Sequence, residues 1–273
     1  MMRSVKLGFE IFSSAWRGYC ANFGKLSCIA LLCGFFPLIE NILQHERWYG
    51  FLSFVVLLLF LMPIFLLGAL ETGATIRLLD NAEKKRTEPG WLRQSFSIGW
   101  SAFLRLLGTM LCICICIMVF YIPAALMIIV AYFSSAALKS NFIFTYIILS
   151  TPFFAGIIWV SLRLILALPI CLLEDSNPFQ SLKKAYRLSS GNFWLLLCAF
   201  LVPVLITILV SESSAKCGLG EYAICRLLIT IMHPLILSIA YRAYVLMSDA
   251  KKEPEPAAAP SPEQSQDHSV ENG

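Results

Sequence analysis

From Leu106 to Leu138 the chain carries no charged residue, and this stretch limits what it can fold into. A hydrocarbon core about 30 Å thick takes about 20 helical residues to cross. Inside it the backbone polar groups have to be paired within the segment, as a helix does. Five further apolar stretches meet the same requirement. The expected spans lie near 26–43, 51–72, 106–132, 142–171, 193–211 and 222–247. Composition points the same way: 58% of the 273 residues are hydrophobic and 14% are charged, where soluble domains carry about 25% charged residues. The expected fold class is all-α, a polytopic membrane bundle of six transmembrane helices.

Basic residues orient it. Arg3, Lys6, Arg17 and Lys25 precede the first span, and Arg77, Lys84, Lys85, Arg86, Arg93 and Arg105 separate the second from the third. Lys183, Lys184 and Arg187 follow the fourth, and Arg242, Lys251 and Lys252 follow the sixth. The opposite side receives Arg47, Lys139 and Lys216. The positive-inside rule therefore predicts both termini in the cytoplasm. Met1–Lys25 lacks an early apolar core of the signal-peptide kind, so the first span is expected to stay as an anchor. The expected location is the cell inner membrane, crossed several times. A net charge of +4 gives no reason to expect nucleic acid as a partner.

The segment Leu166–Phe200 shows how the spans are joined. Asn177 followed by Pro178 predicts a helix start, and Gly191 its stop. Phe179, Leu182 and Tyr186 recur on one helical face, with Lys183, Lys184 and Arg187 elsewhere around it, so this helix is expected to lie in the membrane surface. Val5, Phe9, Phe12, Trp16 and Tyr19 give the N-terminal segment the same character, and Pro89 opens a third, with Trp91, Leu92, Phe96 and Trp100 on its apolar side. Residues 250–273, rich in Pro, Ala, Glu and Ser, read as a disordered cytoplasmic tail.

These features repeat. Aligning Phe23, Phe103 and Phe193 brings Trp16, Phe96 and Tyr186 into step, and puts Asn22 and Asn192 one residue before the first and third. Pro63, Pro152 and Pro234 fall at similar distances downstream, and Asp80, Asp175 and Asp249 close the units. The membrane domain 1–249 is thus expected to hold three parallel units, about 1–80, 88–175 and 176–249, each a surface helix plus a helical hairpin.

The stretch LPICLLEDSNPFQSLKKAYRLSSGNFWLLL resembles the membrane domain found beside bacterial glycerophosphodiester phosphodiesterases and in related small inner-membrane proteins. The residues that carry the resemblance are Pro169, Glu174, Asp175, Leu182, Lys183, Arg187, Gly191, Phe193 and Trp194, and Ala15–Leu26 is similar to that family's opening. Phosphodiesterase activity in such fusions belongs to a soluble TIM barrel of about 250 residues. Only a short tail follows Asp249 here, so the resemblance implies a membrane domain without the catalytic one.

No Walker A, Rossmann, HExxH or GxSxG pattern occurs, and His45, His233 and His268 lie far apart. Cys112, Cys114 and Cys116 sit two residues apart, which turns successive thiols about 200° around a helix and away from a common metal. Neither a cofactor nor a metal is expected. Cys217 and Cys225 border the last outer loop, and whether they pair is left open by the sequence. Charges within spans are costly and draw attention. Glu71, Arg163, Arg242 and His233 form a candidate intramembrane polar cluster, against the alternative that Glu71 and Arg242 snorkel to the surface. Lys183, Lys184, Arg187, Trp16 and Arg17 are candidate lipid-surface contacts. The leading expectation is a non-enzymatic membrane protein, an accessory or scaffold in envelope lipid or membrane homeostasis. Its partners would be the bilayer and either another protein or further copies of itself. The alternative is a small-solute transporter or permease subunit.

Overall fold

The computed structural model describes residues 2–45, 51–84, 90–138, 142–214 and 219–250, and within them the side chains of 4–34, 63–84, 90–127, 130–134, 145–211 and 222–250. The expected tail, Cys217 and Pro89 lie outside the described residues. In chain order the helices are α1 (Met2–Ala21), α2 (Phe23–His45), α3 (Phe51–Glu83), α4 (Trp91–Phe96), α5 (Trp100–Leu138), α6 (Phe142–Leu164), α7 (Ala167–Leu173), α8 (Pro178–Ser189), α9 (Phe193–Ser214) and α10 (Leu219–Ala250). No strand occurs among the described residues.

Among the described residues, four stretches are long and apolar enough to cross a membrane: Trp100–Ser134, Thr145–Leu173, Phe193–Ser211 and Tyr222–Ala250. Phe23–Gly34 is a shorter apolar helix. In the expected spans 26–43 and 51–72, side chains are described for 26–34 and 63–72, about half of each. Proline sits inside α3, α5, α6, α9 and α10 without ending them. Pro169 has a different effect. The helix expected to run through 142–171 stops at Leu164 and restarts as α7, which puts Pro169 in the first turn, where its missing N–H costs nothing.

Long helices pair in a regular way. α2 packs on α3 and α10, α5 on α6 and α3, and α9 on α10 and α6, while α3, α7 and α10 touch one another. The short helices bridge these hairpins: α1 lies on α9 and α10, α4 on α3, and α8 on α5, α6 and α7. The buried core gathers at one end, among Ala74, Ile76 and Leu78 of α3, Ala167 and Ile170 of α7, and Leu235, Ile239 and Ala243 of α10. Toward the other end, Ile115, Val119 and Ile122 of α5 and Leu205 and Leu209 of α9 are exposed, as side chains facing lipid would be.

Small residues set the closest approaches. A Cβ on Gly8 would stand 2.8 Å from the Leu195 carbonyl oxygen and 2.9 Å from the Cys198 Cβ, so α1 seats on α9 through a bare backbone. Gly73 is crowded instead by side-chain ends, the Cδ1 of Ile98 and a Cδ of Leu106, and Ala69 one turn before it is fully buried. α8 packs through small residues. The face it buries is Ser181, Ala185, Leu188 and Ser189, whereas Phe179 is 78% exposed and Tyr186 is also exposed. The small side chains let α8 come close to α5 and α7, which turns the aromatic side outward. Asn177 precedes the helix as its N-cap with no side-chain bond, and Gly191 follows it at φ 83° in the left-handed region that glycine tolerates.

Candidate functional site

The four residues expected to cluster separate into three places. Glu71 and His233 do meet: Nδ1 of His233 lies 2.9 Å from Oε1 of Glu71, across the contact of α3 with α10. Their surroundings differ, because the Glu71 side chain is 9% exposed and that of His233 45%. Glu71 sits in the only stretch of α3 where polar residues are buried among the described positions, next to Thr72 and Thr75.

Arg163 does not join them. Its guanidinium lies 4.3 Å from the Trp159 ring and 4.7 Å from the Tyr186 ring, in the corner between two rings set at 76° to each other, and its Nε is buried without a hydrogen-bond partner. A cation held against aromatic rings is favourable even without a carboxylate. Sequence separation hid this partner, since Tyr186 lies on a helix that folds back over the end of α6.

Arg242 reaches the end of α3 instead of its middle, donating to Oε1 of Glu83 at 2.7 Å. Tyr241 donates to the other oxygen of Glu83 at 2.9 Å and lies 3.4 Å from Asp80. This fits the snorkelling alternative for Arg242, with a long side chain carrying its charge to the packed end of the bundle. Arg105 pairs with Asp175, whose backbone stands at φ 51°, a conformation aspartate adopts more readily than most residues. Tyr19 anchors α1 by donating to the Ile231 carbonyl at 2.8 Å, and burial, with a smaller contribution from Cys20, pushes its phenol up to about 12, so it remains a donor at neutral pH.

The expected surface residues of α8 border a cavity of about 870 Å³ between α7, α8 and the end of α10. Lys183, Lys184, Arg187 and Gln180 form one side, and Glu174 and Tyr244 the other. Glu174 accepts from Tyr244 at 2.8 Å and pairs with Lys184. Lys183 and Arg187, one turn apart on α8, have no acidic partner among the described residues. Trp16 and Arg17 are exposed on α1, where Trp16 stacks on Phe12 with centroids 6.3 Å apart. Cys112, Cys114 and Cys116 are free thiols of partial burial on α5. Among the described residues, no group of three or more His, Cys, Asp or Glu side chains is placed to hold a metal.

Tyr241, Tyr244, Glu83 and Arg105 escaped the sequence reading. The string YRAY at 241–244 was the available signal, two phenols flanking an arginine at the end of a span, but only folding shows which acids they meet.

A family model described as Domain of unknown function (DUF8558) matches residues 92–247, more than half of the chain. No curated protein and no solved structure matches.

Proposed function

We propose, for a chain that belongs to the DUF8558 family, a non-catalytic membrane scaffold that works at the lipid surface in membrane homeostasis. In this reading it crosses the inner membrane of a bacterium six times, as three parallel units with both termini cytoplasmic. Its resemblance to the membrane domain beside glycerophosphodiester phosphodiesterases is what directs the reading toward envelope lipid.

The cyclic contacts support the three units. Each short helix lies on the hairpin of the preceding unit: α4 on α3, α8 on α5, α6 and α7, and α1, closing the ring, on α9 and α10. The first long helix of each unit follows the same rule, with α5 on α3, α9 on α6 and α2 on α10. One refinement of register follows. α2 and α9 begin at Phe23 and Phe193, but α5 begins at Trp100, three residues before the Phe103 used to align them.

The observation that carries the lipid-surface role is what α1 and α8 leave uncovered. At one constant offset, Phe9 and Phe179 are exposed, Trp16 and Tyr186 are exposed, and Ala15 and Ala185 are buried. Arg17 and Arg187 are exposed at that same offset. Asn22 and Asn192 likewise each donate a side-chain bond to the carbonyl four residues before, Gly18 and Leu188. Aromatic rings with adjacent cations, facing outward beside the start of a span, suit the headgroup region. In a chain whose sole tryptophan is Trp16, or a tryptophan placed at Phe179, lipids brominated near the headgroup should quench fluorescence more than lipids brominated near the acyl terminus. Equal quenching by both, or none, would sink the reading.

Transport remains the second reading because of one observation: a buried carboxylate paired with a half-exposed histidine at the junction of α2, α3 and α10. Cysteines at Glu71, Arg163 and His233, tested singly with a membrane-impermeant thiol reagent in a Cys-depleted background, separate the two. Labelling at positions 71 and 233 would move the assignment to transport. Silence there, with outer loops labelled, would leave the scaffold.

A further inference from the structure

The cavity between α7, α8 and the end of α10 has a chemistry that topology alone does not require. A helix that only obeys the positive-inside rule can spread its cations over a solvated surface. Here Lys183 and Arg187, at i and i+4 on α8, both line one concave space together with Lys184 and Gln180. The single carboxylate in that wall, Glu174, is already engaged by Lys184 and by the Tyr244 hydroxyl. Two of the three cations are therefore left without an acidic partner among the described residues, and Gln180 adds an amide donor beside them. A volume of about 870 Å³ falls within the range of sites that enclose small organic ligands. Glu174 and Tyr244 form the opposite wall, tied to α8 by the pairing of Glu174 with Lys184, so the free cations face a defined space.

We propose that this cavity is a binding site for a phosphate-bearing group, supplied by the headgroup of an anionic phospholipid. Phosphate is the anion that best uses this set: a guanidinium gives it two parallel bonds, an ammonium a point charge, and an amide a further donor. The lipid source follows from position. α8 lies between the end of α7 and the start of α9, and the same helix turns Phe179 and Tyr186 outward, where acyl chains would lie. Leu173 and Leu188 supply the apolar part of the cavity wall. The assignment rests on the lipid-surface reading above but goes further, replacing diffuse attraction with one stoichiometric site.

The test uses the full chain in detergent with short-chain phosphatidic acid as probe, short-chain phosphatidylcholine as the zwitterionic comparison, and native mass spectrometry to count bound lipid. One retained phosphatidic acid per chain is expected, and K183Q/R187Q should weaken it by at least about tenfold. The R17Q/R93Q variant, which removes equal charge from α1 and α4, should leave it within about twofold. Equal loss in both double variants would overturn the site while leaving the lipid-surface role intact, since diffuse attraction counts charge wherever it lies. Retention of phosphatidylcholine, which also carries a phosphodiester, as strongly as phosphatidic acid would overturn the assignment to an anionic headgroup. Inorganic phosphate separates the sources: displacement only at far higher concentration than phosphatidic acid supports the lipid headgroup, and displacement at equal concentration overturns the lipid source in favour of a soluble phosphate. Melting of K183Q/R187Q alongside the parent confirms that it folds.

Discussion

The Glu71–His233 pair makes an unequal prediction for its two partners. A hydrogen bond to a charged group contributes about 1.5–3 kcal/mol, and a buried group left unpaired costs about 1–3 kcal/mol more. His233 is half exposed, which argues for the lower end of the first figure. His233→Ala removes the bond and strands a carboxylate that is 9% exposed, so the expected loss is about 2–4 kcal/mol. Glu71→Gln keeps an oxygen that can accept from the imidazole and removes the charge, though its amide N–H groups need an acceptor, so it should cost about 1 kcal/mol. The double variant is the decisive member, because removing the stranded charge should make it more stable than His233→Ala alone. A change of 1 kcal/mol moves Tm by about 2–4 °C in a chain of this size, which puts His233→Ala about 4–16 °C below the parent. Thermal unfolding in one fixed detergent, followed by reaction of the buried thiols Cys33 and Cys171 with a fluorogenic reagent, reads the whole set. Additive losses in the double variant, or a His233→Ala loss no larger than that of Glu71→Gln, would refute the reasoning.

Three further outcomes are expected. Gly8→Ala should be less stable than Gly68→Ala by about 1–3 kcal/mol, since both gain the same helix propensity but a Cβ at Gly8 meets backbone while one at Gly68 meets the Met110 methyl at 3.7 Å; hydrogen exchange of α1 would rise in the first variant alone. Arg163→Lys should lose about 1–2 kcal/mol by giving up the guanidinium's contact with the two rings, and a double-mutant cycle with Tyr186→Leu that shows no coupling would rule that contact out. Tyr244→Phe should cost about 0.5–1.5 kcal/mol, one hydrogen bond to Glu174, and leave Tyr241→Phe to act additively because the latter serves Glu83.

Reading the chain alone reached the helix boundaries well where a special residue forces them. Pro178 opens α8, and Gly191 closes it because the following turn needs a left-handed residue. It set Phe179, Leu182 and Tyr186 on one face, toward the membrane surface, but did not say which face of α8 packs on the rest of the chain. Phe179, Leu182 and Tyr186 are the strongest apolar stripe by periodicity, yet in a membrane protein lipid accepts large apolar side chains as readily as a core does. Hydrophobicity therefore stops distinguishing inside from outside, and close contact goes to the small residues Ser181, Ala185 and Ser189. The same reason hid the seat of α1 at Gly8.

Charged residues divide along the same line. Sequence by itself led to an expectation of six spans, of which four appear among the described residues as helices long and apolar enough to cross a membrane, and it showed the cations concentrated on one set of connecting segments, because the cost of exposing backbone and charge to hydrocarbon depends on local composition. It also singled out Glu71, Arg163, Arg242 and His233, since intramembrane charge is costly wherever it occurs. Tertiary structure alone decided their partners: Glu71 with His233, Arg242 with Glu83, Arg163 with Trp159 and Tyr186. Those choices depend on which helices become neighbours and at what height. A contact between residues more than a hundred positions apart, such as Glu71 with His233, leaves no trace in the periodicity of either segment.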